Sequence, residues 1–129
     1  MSRSQLRKAV TAAVALHSAC LGAAMLIAPE VTMRLTGLAY EGSLFFPRQA
    51  GVFLLLLGIV YMEAVRRPRW GWFLVFSKVV AVAFLCAEYA WEMRQDAILL
   101  AAALDGLMGA TVAILILVGE TPWDCASAS

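Results

Sequence analysis

Five side chains that can transfer a proton or hold a charged ligand lie within otherwise apolar stretches of the sequence. They are His17, Arg48, Lys78, Glu88 and Asp105. Insertion of a Lys, Arg or Asp at the centre of a membrane helix costs about 2.5–3.5 kcal/mol, so such residues persist where they face other helices and find partners. These five residues are therefore the candidates for chemistry.

Titratable groups in a medium of low dielectric constant suit acid–base chemistry. In that role Asp105 or Glu88 would be the acid or base, and Lys78 would be its electrostatic partner. Arg48 would anchor an anionic or carbonyl group. Together with His17, the same residues would supply the proton relay of a transporter.

Four apolar runs of about 20 residues must position these side chains. They cover about residues 9–28, 44–65, 70–91 and 97–118. This length lets an α-helix cross roughly 30 Å of hydrocarbon. The chain of 129 residues is 63% hydrophobic, against roughly 45–50% in soluble domains. The sequence therefore predicts an all-α integral membrane protein, a four-helix antiparallel bundle in one domain (1–129) with a short tail at 119–129.

Depth in the membrane predicts which charges pair. Lys78 is expected roughly 12 Å below one face of the membrane and Asp105 roughly 12 Å below the other. In a hydrocarbon core of about 30 Å their levels therefore differ by about 6 Å, which a lysine side chain can span. Their helices are consecutive, and consecutive antiparallel helices usually pack together. We therefore expect a Lys78–Asp105 ion pair.

The same depth argument predicts a second ion pair, Arg48–Glu88. It would lie near the membrane interface on the side away from the amino terminus. Both pairs also have a purely structural interpretation, in which they fix helix neighbours and contribute little net stability. Tyr89 and Trp91 follow Glu88 and would line the mouth of a ligand site. They equally suit the aromatic belt at a membrane interface.

Basic residues predict the orientation of the helices. Six lie at the amino terminus and between the second and third runs: Arg3, Arg7, Lys8, Arg66, Arg67 and Arg69. The opposite side has Arg34, Arg94 and Arg48. This asymmetry places both termini in the cytoplasm, in a bacterial inner membrane. The alternative is that the first run is a cleaved signal peptide with a weak site at residues 22–24.

Several function classes are disfavoured by composition and motifs. The net charge of +1 gives no electrostatic footprint for nucleic acid. The three cysteines have no metal-binding spacing and there is a single histidine, so no metal site is expected. Glycine-rich nucleotide loops and hydrolase motifs are absent. No cofactor follows from the residues alone.

A short motif carries a resemblance to a known family. Residues 46–54 (FPRQAGVFL) and 58–61 (GIVY) place Arg48 at the start of a membrane helix, Gly51 three positions later and Gly58 one heptad further on. This pattern resembles the small four-helix bacterial membrane proteins of the DoxX-like superfamily. That group is named for association with a thiosulfate-oxidising, quinone-reducing membrane complex. The resemblance implies a bundle near quinones or other lipophilic metabolites, and assigns no catalytic residue.

Two main functions remain open at this point. The first is a membrane subunit or binder of a lipophilic ligand such as a quinone, working in the lipid bilayer as a homodimer or within a larger complex. The second is a membrane-embedded acid–base enzyme acting on a lipophilic small molecule through Asp105, Glu88, Lys78 and His17. A third hypothesis is a proton-coupled small transporter that uses the same residues.

Overall fold

The computed structural model describes residues 2–38, 42–91 and 95–119, and every regular element in these ranges is helical. A 3₁₀ turn, Pro68–Trp70, precedes the fourth α-helix. The α-helices are α1 (Arg3–Ile27), α2 (Pro29–Thr36), α3 (Phe45–Arg66), α4 (Gly71–Trp91) and α5 (Asp96–Gly119). The four predicted runs are confirmed as helices, and their ends agree to within one residue except that α1 begins at Arg3, six residues before the predicted start. Helix α2 was not predicted. Arg94 and the predicted tail beyond Gly119 lie outside the described residues.

Local signals explain where the first two helices begin and end. Ser2 and Gln5 form a reciprocal capping box at the start of α1. Ala28 leaves the helical region, because a residue that precedes proline is pushed towards extended conformations. Pro29 then begins α2, where its missing N–H is not needed. Gly37 ends α2 at a φ of 75°, which a side chain would strain.

Helices α1 and α3 run antiparallel at very short distance. A methyl group at Gly22 would lie 2.7 Å from the Gly51 carbonyl oxygen and from the Leu55 amide nitrogen. A methyl group at Gly58 would lie 3.0 Å from the Ala19 Cβ. The two glycines of the resemblance motif therefore both face α1, and their spacing of seven residues puts them on one side of α3. Small residues at these positions allow the two backbones to touch.

Helices α4 and α5 form a second antiparallel pair. Gly71 faces Ile116 near one end, Lys78 faces Gly109 further along, and Val82 approaches Gly106. A methyl group at Gly109 would lie 2.9 Å from the Lys78 Cβ. Gly109 therefore makes the room that the stem of this lysine occupies.

One apolar cluster joins the two pairs. Its fully buried members come from all four long helices: Val14, Ala15, Tyr61, Leu74, Val112 and Ile116. The main neighbour of α3 is α1, whereas α3 makes few contacts with α4. The expectation that consecutive long helices pack together thus holds for α1 with α3 and for α4 with α5, but only weakly for α3 with α4.

All four long helices are long and apolar enough to cross a membrane. Large apolar side chains also remain exposed along every one of them, including Leu16, Ile59, Phe76 and Leu107. Monomeric soluble proteins rarely expose contiguous apolar surface on this scale. These features support a membrane protein with transmembrane helices.

Candidate functional site

A buried ion pair lies between α4 and α5. The Lys78 Nζ is 2.5 Å from the Asp105 Oδ1. The Lys78 side chain is 7% exposed and that of Asp105 is 21% exposed, so the lysine is enclosed while the carboxylate reaches the surface. A charge-assisted hydrogen bond of this kind is stronger than a neutral one. The structure therefore brings these two predicted residues together.

A second polar contact links α3 to α4 beside this pair. The hydroxyl oxygens of Tyr61 and Ser77 are 2.6 Å apart, and the Ser77 hydroxyl donates to the Leu74 carbonyl oxygen at 2.8 Å. Because serine has a single hydroxyl hydrogen, the Tyr61 hydroxyl must be the donor in the contact with Ser77. The Tyr61 side chain is thereby buried with its polar group satisfied.

These contacts form one polar network across three helices. The Lys78 Nζ lies 6.0 Å from the centre of the Tyr61 ring, at the outer limit for attraction between a cation and an aromatic face. We call Tyr61, Ser77, Lys78 and Asp105 the buried network. Nothing in the sequence pattern pointed to Tyr61 as the partner from α3.

The other two acid–base candidates lie apart from the buried network. Glu88 follows Lys78 by ten residues on α4, which is about 15 Å along the helix axis. His17 is on the exposed side of α1, because the buried face of that helix passes through Ala15 and Ser18. The expected set of four interacting titratable groups is therefore reduced to Lys78 and Asp105.

The expected Arg48–Glu88 ion pair is not formed. The ion pairs within the described ranges join Glu63 to two arginines and Lys78 to Asp105. The physical reason is the packing order: α3 lies along α1, and α4 lies along α5. Arg48 is exposed, and Glu88 is half-buried on α4.

Arg48 instead borders an open groove where the end of α1 meets the start of α3. The groove has a volume of about 500 Å³, which is within the roughly 300–1,000 Å³ range of small-molecule sites. We call it the Arg48 groove. Its lining residues are Leu26, Ser43, Leu44, Phe45, Arg48, Gln49, Val52 and Phe53.

Of the three predicted ligand-binding residues, only one lines this groove. Arg48 lines it, whereas Tyr89 and Trp91, at the end of α4, are not among its lining residues. Trp91 is 84% exposed, as an aromatic side chain at a membrane interface is expected to be. The contribution of Leu26 from α1 could not be predicted, because it depends on the close packing of α1 against α3.

Neither a search for metal-binding groups nor comparison with known proteins assigns a function to further residues. Among residues 2–38, 42–91 and 95–119, no group of three His, Cys, Asp or Glu side chains could hold a metal ion. No family profile, no curated protein and no solved structure matches the chain.

Proposed function

We infer that the chain is an integral membrane protein whose four long helices cross the bilayer as an antiparallel bundle. The length and composition of the helices support this, as does the exposed apolar surface along each of them. The basic amino terminus and the basic α3–α4 connection support cytoplasmic termini in a bacterial inner membrane.

Within that bundle, the function proposed is to bind a lipophilic ligand in the Arg48 groove. One observation carries this: a cationic side chain borders a groove whose other walls are mainly apolar. Such a groove suits a molecule with a hydrocarbon body and an oxygen-bearing head. Quinones, which the family resemblance implies, and membrane lipids both have this composition. The protein would act as a binding subunit, as a homodimer or within a larger membrane complex.

The buried network supports a binder more than a catalyst. Lys78 and Asp105 bond to each other, and the hydroxyl groups of Tyr61 and Ser77 are also satisfied. None of these four residues lines the Arg48 groove. Their contacts hold α3, α4 and α5 together, which is a structural role.

Photolabelling of the full chain in phosphatidylcholine nanodiscs tests the binding function. Two probes would share a dodecyl tail with a diazirine and differ in the head, one a hydroxyl and the other a carboxylate. We expect at least one probe to label the peptides around Leu26 and residues 44–53 above all others. Val52→Trp, which fills the groove, should reduce that label severalfold.

Leu107→Trp is the matched control, because Leu107 is equally apolar and 65% exposed on α5. This variant should leave labelling of the groove unchanged. The binding function would be refuted if both probes labelled the exposed faces of the long helices evenly, with no response to Val52→Trp.

A membrane-embedded acid–base enzyme is the second candidate, favoured by the exposed edge of the Asp105 carboxylate. A catalytic pair predicts that Lys78→Met combined with Asp105→Asn yields a folded protein that fails to complement a strain lacking the chain. A structural pair predicts full complementation by the same double variant.

A further inference from the structure

Among residues 2–38, 42–91 and 95–119, no carboxylate forms an ion pair with Arg48. Across the described ranges, the ion pairs involve Glu63 and Asp105, and neither contacts Arg48. An arginine guanidinium is a cation with five N–H donors. The Arg48 groove therefore has a full positive charge available to an occupant.

The position of Arg48 along its helix indicates the kind of anion. It is the fourth residue of α3, so its Cα lies only about 5 Å along the axis from the first helical residue. In a membrane-spanning helix this is the level of the lipid head groups, towards which an arginine extends its charged end. The planar guanidinium matches the two oxygens of a phosphate in a bidentate contact.

The walls of the groove indicate the rest of the ligand. Val52 and Phe53 lie one turn further into α3 and are 44% and 57% exposed, so the groove is open along the side that would face the bilayer. Leu26 closes it from α1. A hydrocarbon chain can therefore enter sideways from the lipid without crossing water.

We propose that the Arg48 groove holds an acidic phospholipid of the surrounding bilayer, with its phosphate at the Arg48 guanidinium and an acyl chain against Val52 and Phe53. This rests on the proposed binding function and narrows its ligand class. A lipid with a net negative head neutralises the charge of Arg48. A quinone carbonyl or a zwitterionic head group leaves the site with its positive charge.

Native mass spectrometry of the full chain, released from nanodiscs, tests the selectivity. The discs would contain equal amounts of phosphatidylglycerol and phosphatidylcholine with identical acyl chains. We expect the protein to retain phosphatidylglycerol over phosphatidylcholine by roughly two- to fivefold, the range of an exposed ion pair.

Three arginine variants locate the effect. Arg48→Gln should abolish the preference. Arg48→Lys should reduce it, because a lysine keeps the charge but loses the bidentate geometry. Arg34→Gln removes the same charge from an exposed residue of α2 that does not line the groove, and it should leave the preference unchanged.

The outcomes separate this proposal from the binding function itself. Equal retention of the two lipids, blocked by Val52→Trp, would overturn the acidic-lipid proposal and leave lipophilic binding intact. A preference that survives Arg48→Gln would also overturn it. Retention of neither lipid, together with even photolabelling of the helices, would refute the binding function as a whole.

Discussion

At the scale of single residues, Lys78 and Asp105 depend on each other. Asp105→Asn would leave the buried lysine without its counter-charge, so we expect a loss of about 3 kcal/mol in the free energy of unfolding. Adding Lys78→Met should recover most of that loss, because the stranded charge is then removed. Tryptophan fluorescence during denaturation in detergent measures both effects. Additive losses in the double variant would contradict the pairing.

The hydrogen bond between Tyr61 and Ser77 predicts unequal effects of its two partners. Tyr61→Phe leaves Ser77 still donating to the Leu74 carbonyl oxygen, so we expect a cost of about 1 kcal/mol. Ser77→Ala leaves the buried Tyr61 hydroxyl without an acceptor, which costs about 1–3 kcal/mol. The same denaturation assay compares the two variants. A larger loss of stability in Tyr61→Phe than in Ser77→Ala would contradict the assignment of Tyr61 as the donor.

At the scale of helices, the contact between α1 and α3 depends on Gly22. A methyl group there meets backbone atoms of Gly51 and Leu55 at 2.7 Å, and backbone cannot move aside as a side chain can. Gly22→Ala should therefore destabilise the protein by about 2 kcal/mol, as overpacking does. Thermal unfolding of Gly22→Ala and of a control variant, Gly106→Ala, measures the loss of stability.

Gly106→Ala is the control for this prediction. The nearest atom to its added methyl group is a Val82 side-chain carbon at 3.7 Å, an ordinary contact. Its stability should change by less than about 0.5 kcal/mol, or rise slightly because alanine favours helix. Equal losses in Gly22→Ala and Gly106→Ala would mean that the close contact of α1 and α3 is not what Gly22 provides.

The helices themselves could be predicted from the sequence, whereas part of their packing could not. Length and apolar composition are local properties, so the four runs follow directly from the residues. Depth along the helices was enough to predict Lys78 opposite Asp105. It failed for Arg48 and Glu88, because depth does not say which helices are neighbours. That choice depends on Gly22, Gly51 and Gly58, whose close contacts place α3 on α1.

At the scale of the whole molecule, the four proposed crossings would place both termini on one side of the membrane. In a variant without native cysteines, single cysteines would replace the exposed residues Ser2, Gly42 and Arg69. With a membrane-impermeant maleimide added outside intact spheroplasts, we expect labelling of Gly42→Cys alone. Labelling of Ser2→Cys and Arg69→Cys instead would show the reverse orientation, and labelling of all three would contradict the four crossings.

The central claim is that a lipophilic molecule occupies the Arg48 groove, and methyl NMR of the full chain in nanodiscs tests it most directly. The protein would be deuterated except at Leu and Val methyl groups, and the phosphatidylglycerol acyl chains would be protonated. We predict the strongest intermolecular NOEs at the methyl groups of Leu26 and Val52, with the Leu26 NOEs lost in Val52→Trp, which fills the groove. NOEs of equal strength at Val79 and Leu107, which are exposed on α4 and α5, would contradict the claim.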